Sequence, residues 1–355
     1  MKVSINSKFL EGPHGGGIQF ANYLRDFLGK NNIKVVNNLR DEDIDIILHI
    51  NPFPFLTAQI SAYSFIDAYI YKLHHPETII IERVNECDER KGTHYMNDLL
   101  IMAGKYSDFI VFIASWLKPL LINRGLSEDK PSAVILNGAD TRIFNIENKN
   151  FWDGASRIKI VTHHWSSNMN KGHDVYGQLD TLLSQDQYRN LFEFTYVGRV
   201  PRDAGYQNTN IVPSLSGESL AKELKKHHVY ITASQNEPAG MHHIEGALCG
   251  LPLLYINSGA LPEYCAEYGL EFDASNLPQK LIEMREKYKE LAEKIKHYDH
   301  TGDKMAHEYL NLMKNLYSRR RQFSIKHSRL KILWFKVYNQ YYALRFTILK
   351  RLGII

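Results

Sequence analysis

The chain has 355 residues, 44% of them hydrophobic, with 43 Lys/Arg against 39 Asp/Glu, which is long enough for about two domains with substantial cores. A mean hydropathy of −0.34 and the lack of any run of about 18 uncharged apolar residues exclude a spanning helix. Met1–Asn6 lacks the apolar stretch of a signal peptide, so a cytoplasmic protein is expected, and the widely spaced Cys87, Cys249 and Cys265 supply neither a disulfide framework nor a four-cysteine zinc site.

Short apolar runs alternate with helix-period segments, the pattern of βα units that feed a parallel sheet. Strands are predicted at Val3–Ile5, Lys34–Val36, Ile46–Ile50, Thr78–Ile81, Phe109–Ile113 and Ala133–Leu136. Between the first two, Ile18, Ala21, Leu24 and Leu28 share one helix face, which Gly29 closes. The run Gly12-Pro13-His14-Gly15-Gly16-Gly17 leads into that helix. Glycines at a strand-to-helix turn let backbone N–H groups approach a phosphate, aided by the helix dipole; a loop that merely caps the helix is the other reading. A nicotinamide fingerprint is not met, because Phe20 stands at its third glycine and Asn37 and Asn38 stand where a ribose-binding acid would follow the second strand. Asp43-Ile44-Asp45 precedes a strand instead of following one, so it sits at the wrong sheet edge for a metal-binding pair and reads as a solvated turn.

Asn145–Ser156 is polar and aperiodic, as a linker would be, and the alternation then restarts. Strands are predicted at Ile158–Thr162, Phe192–Val197, Val229–Ala233 and Leu253–Tyr255, with helices that include Val175–Leu183, Leu220–Lys226 and His242–Leu248. The expected organisation is an α/β domain over residues 1–150, a second over 151–300 that ends in a charged helix at Leu277–Lys296, a closing helix within 301–317 and a tail over 318–355. From Ser234 to Pro252 a strand end, a loop with Glu237, the small residues Ala239 and Gly240, Met241, and a helix with Glu245 follow one another. The loop carboxylate can accept from sugar hydroxyls and the helix carboxylate from a ribose, with the N–H groups around Gly240 and Met241 facing a diphosphate between them. A helix-start acid and an exposed helix glutamate fit the same spacing.

This segment resembles the donor-binding signature of retaining glycosyltransferases of family 4. Glu237 and Glu245 are separated by seven residues, then Cys249-Gly250-Leu251-Pro252 leads to Pro262-Glu263. Asn137-Gly138-Ala139-Asp140 with Phe144, Asp108 with Ser115, Gly15 to Gly17, and Lys171-Gly172 also correspond, in order, over residues 1 to 317. The resemblance implies a GT-B architecture, two Rossmann-like α/β/α domains facing across a cleft. It also implies transfer, with retention and without a metal or cofactor, from a nucleotide-diphosphate sugar to a glycan or lipid-linked acceptor in cell-surface polysaccharide assembly. Lys171 matches the lysine that neutralises the diphosphate, but Thr162-His163-His164-Trp165-Ser166 replaces the usual arginine-bearing loop. His163, His164 and Arg199 are candidates to fill that role, a satisfied loop or core position being the other reading of the two histidines. On the acceptor side Arg83 and Asn85 are candidates for contact near the anomeric centre, with Glu237 on the transferred sugar; His49-Ile50-Asn51-Pro52 is a weaker candidate. A sugar-nucleotide epimerase and a noncatalytic sugar-nucleotide-binding protein are the alternatives.

The tail reverses the charge of the body: residues 318–355 hold ten Lys/Arg and no Asp/Glu, whereas the first 317 hold 33 and 39. Its basic residues interleave with Phe323, Leu330, Ile332, Leu333, Trp334, Phe335 and further aromatics. That apolar content exceeds what nucleic-acid binding needs and points to an anionic membrane surface, hence a peripheral protein on the inner face. Packing on the acidic body is the competing expectation.

Overall fold

The computed structural model describes residues 1–10, 15–54, 60–326 and 329–352; Gly12–His14 of the glycine-rich opening lie outside them. Strands β1 (Lys2–Ile5), β2 (Lys34–Val36), β3 (Ile46–His49), β4 (Ile79–Val84), β5 (Phe109–Phe112) and β6 (Ser132–Val134) form one sheet, ordered β2-β1-β3-β4-β5-β6. A second sheet joins β7 (Ile158–His164), β8 (Phe192–Gly198), β9 (Thr209–Val212), β10 (Val229–Thr232), β11 (Leu253–Ile256) and β12 (Gly269–Phe272), ordered β12-β11-β10-β7-β8-β9. Neighbouring strands are parallel in both.

Parallel sheets covered on both faces need strands that are apolar throughout, and β1, β3, β4, β5 and β10 are buried along their whole length. In the first domain Val3, Ile5, Ile46, Leu48, Ile79 and Ile81 pack on one side with the Gly16–Lys30 helix. In the second, Ile158, Ile160, Phe192, Phe194, Val229 and Ile231 meet residues of the His173–Leu182 and Leu277–Ile295 helices. All ten predicted strands are present. β9 and β12 were not expected from the sequence: both are edge strands with half-exposed or exposed residues and no continuous apolar run. β4 runs three residues past its predicted end at Ile81, to Val84, so Arg83 stands inside a strand.

In each sheet the strand order reverses beside the domain's first strand, between β1 and β3 and between β7 and β10. Ligand crevices in open α/β sheets form outside the strand C-termini at such points.

The chain then returns to its first domain. Thr301 caps the Gly302–Ser318 helix by accepting from the Lys304 N–H, and Tyr309 packs edge-on to Phe20 at 5.1 Å between ring centroids. The tail does not hang free. Its Arg329–Arg351 helix lies on the Phe65–His74 helix, where Asn339 donates to Asp67 Oδ1 at 2.7 Å and Phe335 meets Tyr69 and Tyr106 at 4.8 and 5.2 Å. A chain cut at Tyr317 would therefore uncover Phe65, Tyr69 and Tyr106, so the tail is in part core structure.

Tyr264 ties the domains together. Its buried hydroxyl donates to the Ile113 carbonyl at 2.8 Å and accepts from the Asn137 N–H at 2.7 Å. Glu263 beside it accepts from the Ser115 N–H and hydroxyl at 2.9 and 3.1 Å. Tyr264→Phe leaves that N–H and carbonyl without their partner, a loss of about 1–3 kcal/mol. A lower urea midpoint with unchanged slope is the expected result, and an unchanged midpoint would refute the junction role.

Candidate functional site

A cavity of about 460 Å³ lies where the strand C-termini of the two sheets face each other. The first domain contributes Gly15–Gln19, Asn51, Arg83, Asn85 and Arg90; the second contributes His163–Ser166, Lys171, Glu237–His242 and Glu245. Of the sequence candidates, Gly15–Gly17, Arg83, Asn85, His163, His164, Lys171, Glu237, Ala239–Met241 and Glu245 line this cavity; Arg199 does not, and of the weaker candidate His49–Pro52 only Asn51 does. Two close approaches shape the cavity, one across the cleft and one within the second domain. A Cβ on Gly16 would lie 2.8 Å from Met241 Cγ across the cleft, and one on Gly246 would lie 2.4 Å from the Tyr230 ring, so glycine there lets the His242–Leu248 helix sit close over β10.

Glu237 is 5% exposed. Its Oε2 accepts from Lys171 Nζ at 2.6 Å, and its Oε1 lies 3.8 Å from Arg90 Nε. Burial opposes the charge, but the Lys171 ammonium and the Arg90 guanidinium outweigh it and hold the carboxyl down at about 2. Lys171 is delivered by a short turn capped by Asn168, whose side chain accepts from the Asn170 N–H. Arg90 comes from the other domain, in the Asp88–Lys91 turn.

The sequence did not single out Arg90. It stands in a charged run with Glu86, Asp88, Glu89 and Lys91 that reads as a solvated loop, and its partner is 147 residues away. The signal that could have found it is the missing arginine of the second domain, which asks for a cation from elsewhere.

Glu245, also buried, accepts from His163 Nε2 at 2.8 Å. With that proton on Nε2, Nδ1 is left to accept from the Tyr230 hydroxyl at 3.1 Å. One carboxylate oxygen is thus held, and the other accepts from none of the described residues. His163 orients Glu245 and is not available as a diphosphate donor. His164 turns its Nε2 to the Tyr176 hydroxyl at 2.9 Å, and burial, then the Lys171 ammonium, disfavours the charged form of its ring. Arg199 is exposed at the end of β8, tied by its backbone N–H to the His164 carbonyl at 3.2 Å. The strand end was placed correctly, but the arginine side chain stays outside the cavity lining.

On the opposite wall Arg83 is 2% exposed, stacked 3.9 Å from the Phe20 centroid and donating to Asn137 Oδ1 at 2.7 Å. Asn85, oriented as its neighbours require, donates to the Ile50 carbonyl at 3.2 Å and accepts from Arg83 Nη1 at 3.1 Å. Together they form an anchored polar floor. Asp43 and Asp45 lie at the N-terminal edge of β3, paired with the side chain and backbone N–H of Lys2.

Four cations (Arg83, Arg90, Lys91 and Lys171) and three carboxylates (Glu86, Glu237 and Glu245) line the cavity. The excess positive charge, set in a partly dry cleft, favours an anion of low radius and fixed geometry such as a diphosphate.

No family model matches this sequence, and neither does any curated protein. Solved structures do match in shape. Anabaena HepE in complex with UDP-glucose is similar at 11% identity over 89% of this chain and 100% of that one, with a TM-score of 0.65. Sucrose-phosphate synthase from Thermosynechococcus elongatus gives 12% identity, 90% and 98% coverage and 0.63. A glycosyltransferase from Rickettsia africae gives 17%, 89%, 98% and 0.58. The chain has the GT-B fold.

Because the folded-state Glu237 lies far below the ordinary glutamate value of 4.5, its ion pair stabilises the protein above that value and is lost as pH falls towards about 2. Lys171→Met should therefore cost about 3–5 kcal/mol at neutral pH, with a deficit that shrinks on acidification through this window. Urea unfolding of both proteins from pH 7 to pH 2 tests it; a deficit independent of pH would contradict the pairing.

Proposed function

We propose that the protein is a retaining, metal-independent glycosyltransferase similar to those of family 4. It moves a sugar from a nucleotide-diphosphate sugar to a glycan or lipid-linked acceptor in cell-surface polysaccharide assembly, at the inner face of the membrane. The observation that carries this reading is the convergence of Glu237, Lys171, Arg90 and Glu245 in one cleft of a GT-B fold. The complex of Anabaena HepE with UDP-glucose makes UDP-glucose the first donor to try.

Each part of such a donor has a complementary group. The free oxygen of Glu245 accepts a ribose hydroxyl while His163 fixes the carboxylate's direction. Lys171 and Arg90 neutralise the diphosphate, and as the sugar–phosphate bond breaks they stabilise the charge gathering on the leaving oxygen. Glu237, released in part from its cations by the diphosphate, accepts from sugar hydroxyls and favours the positive charge that develops on the ring. The acceptor rests on the polar floor that Asn85 and Arg83 form. Attack on the face from which the phosphate departs retains the configuration, with that phosphate taking the acceptor proton, so no protein nucleophile is required.

Incubation with UDP-glucose and measurement of UDP release tests the reading; binding without release would favour a noncatalytic protein, and a changed sugar nucleotide would favour an epimerase. Arg90→Ala should weaken UDP at least tenfold and uridine little, since a charge-assisted hydrogen bond is worth about 1.5–3 kcal/mol. Equal losses for both ligands would reduce Arg90 to a structural contact. Glu245→Gln should weaken uridine and UDP alike by a similar factor, and unchanged affinity in the folded variant would reject the ribose assignment.

A further inference from the structure

The docked C-terminal helix has two apolar faces. Ile332, Phe335, Tyr342 and Phe346 are buried against the first domain. On roughly the opposite side, at alternating spacings of four and three residues, stand Leu330, Trp334, Val337, Tyr341, Leu344 and Ile348, each between 47% and 82% exposed. Such a continuous row of large exposed apolar side chains is rare on soluble proteins and marks a surface that meets something else.

We propose that this outward row lies in the headgroup region of an anionic bilayer while the other face of the same helix stays docked, so that the helix is at once a structural element of the first domain and its membrane contact. The inference rests on the membrane placement proposed above and gives it a surface and an orientation. Three observations select the occupant. The basic residues Arg329, Lys336 and Arg345 border the row, and no acid occurs from residue 318 onward; this suits anionic headgroups. The same charges oppose pairing with a second copy, since two such helices would set like charges along their seam. Among the described residues no helix is long and apolar enough to cross a membrane, so the 23-residue helix, about 34 Å long, can only lie flat in the interface. Beside it, His74, Arg329, Ile332, Leu333 and Lys336 line a cavity of about 390 Å³ in which apolar and cationic groups adjoin, the mixture found at a headgroup–acyl boundary.

The full chain is tested by flotation with vesicles of phosphatidylcholine, alone or mixed with phosphatidylglycerol. The wild type should float with the mixed vesicles at low salt. Replacing Val337, Tyr341 and Leu344 together by serine should reduce that binding by roughly tenfold or more, without change in melting temperature or in UDP-glucose affinity, because these side chains are exposed and remote from the cleft. A variant that floats as well as the wild type overturns the proposal. So does a wild-type dimer that the variant converts to a monomer while neither binds vesicles, since the row would then be covered by a second copy. Flotation lost in the variant of a protein that binds no UDP-glucose at all would sustain the lipid surface and reject the donor reading, so the two fail separately.

Discussion

Glu237 stays ionised almost out of water because two cations from different domains stand beside it. Taking a carboxylate out of water costs several kcal/mol, and the cost is recovered only where the partners are well placed. Three separate turns must therefore hold their register. Asn236 donates to the Glu89 carbonyl at 3.3 Å, and Asn170 donates to the Arg90 carbonyl at 3.3 Å, so the loops that carry Glu237 and Lys171 both grip the turn that carries Arg90. That turn is fixed in turn by Asp88, which accepts from the N–H groups of Tyr95, Met96 and Asn97 at 3.0, 2.8 and 3.1 Å. The closed relation of the two domains is thus tied to the electrostatics of one side chain.

The second carboxylate follows a different logic. Glu245 rides on a short helix whose approach to β10 is permitted by Gly246, and its direction is set by His163 from the end of β7. Its position is fixed by packing and a hydrogen-bond chain through His163 to Tyr230, whereas that of Glu237 is fixed by two cations. A pocket built this way has one end that responds to bound anions and one end that is already in place before a ligand arrives.

Much of this was legible in the sequence, and the omissions share a cause. Short apolar runs gave ten of the twelve strands and their parallel arrangement, and the Ser234–Pro252 segment gave both carboxylates. What depends on residues far apart in the chain was not legible. Arg90 and Glu237 meet only because the domains face each other. For His163 a phosphate donor and a satisfied core residue stayed equally open, because its distance to Glu245 cannot be read across a separation of 82 residues. Arg199 was placed at the right strand end, but spacing does not say which way a side chain turns. The edge strands β9 and β12 carry too little apolar pattern to announce themselves, and the tail's composition showed an amphiphile without showing that one of its faces is already used.

The return of the Gly302–Ser318 helix to the first domain bears on how the protein is made. Phe20 and Leu24 share a core with Tyr309, Met313 and Leu316, so a nascent chain that has only released its first 150 residues holds a sheet with part of its apolar cover still in the ribosome or unsynthesised. That cover arrives after the whole second domain has emerged. Such distant closure slows folding and leaves apolar surface open for longer. During synthesis the N-terminal half consequently keeps apolar surface uncovered until residues 302–318 have emerged, while the second domain, whose sheet is formed by consecutive segments between Ile158 and Phe272, can condense as it appears.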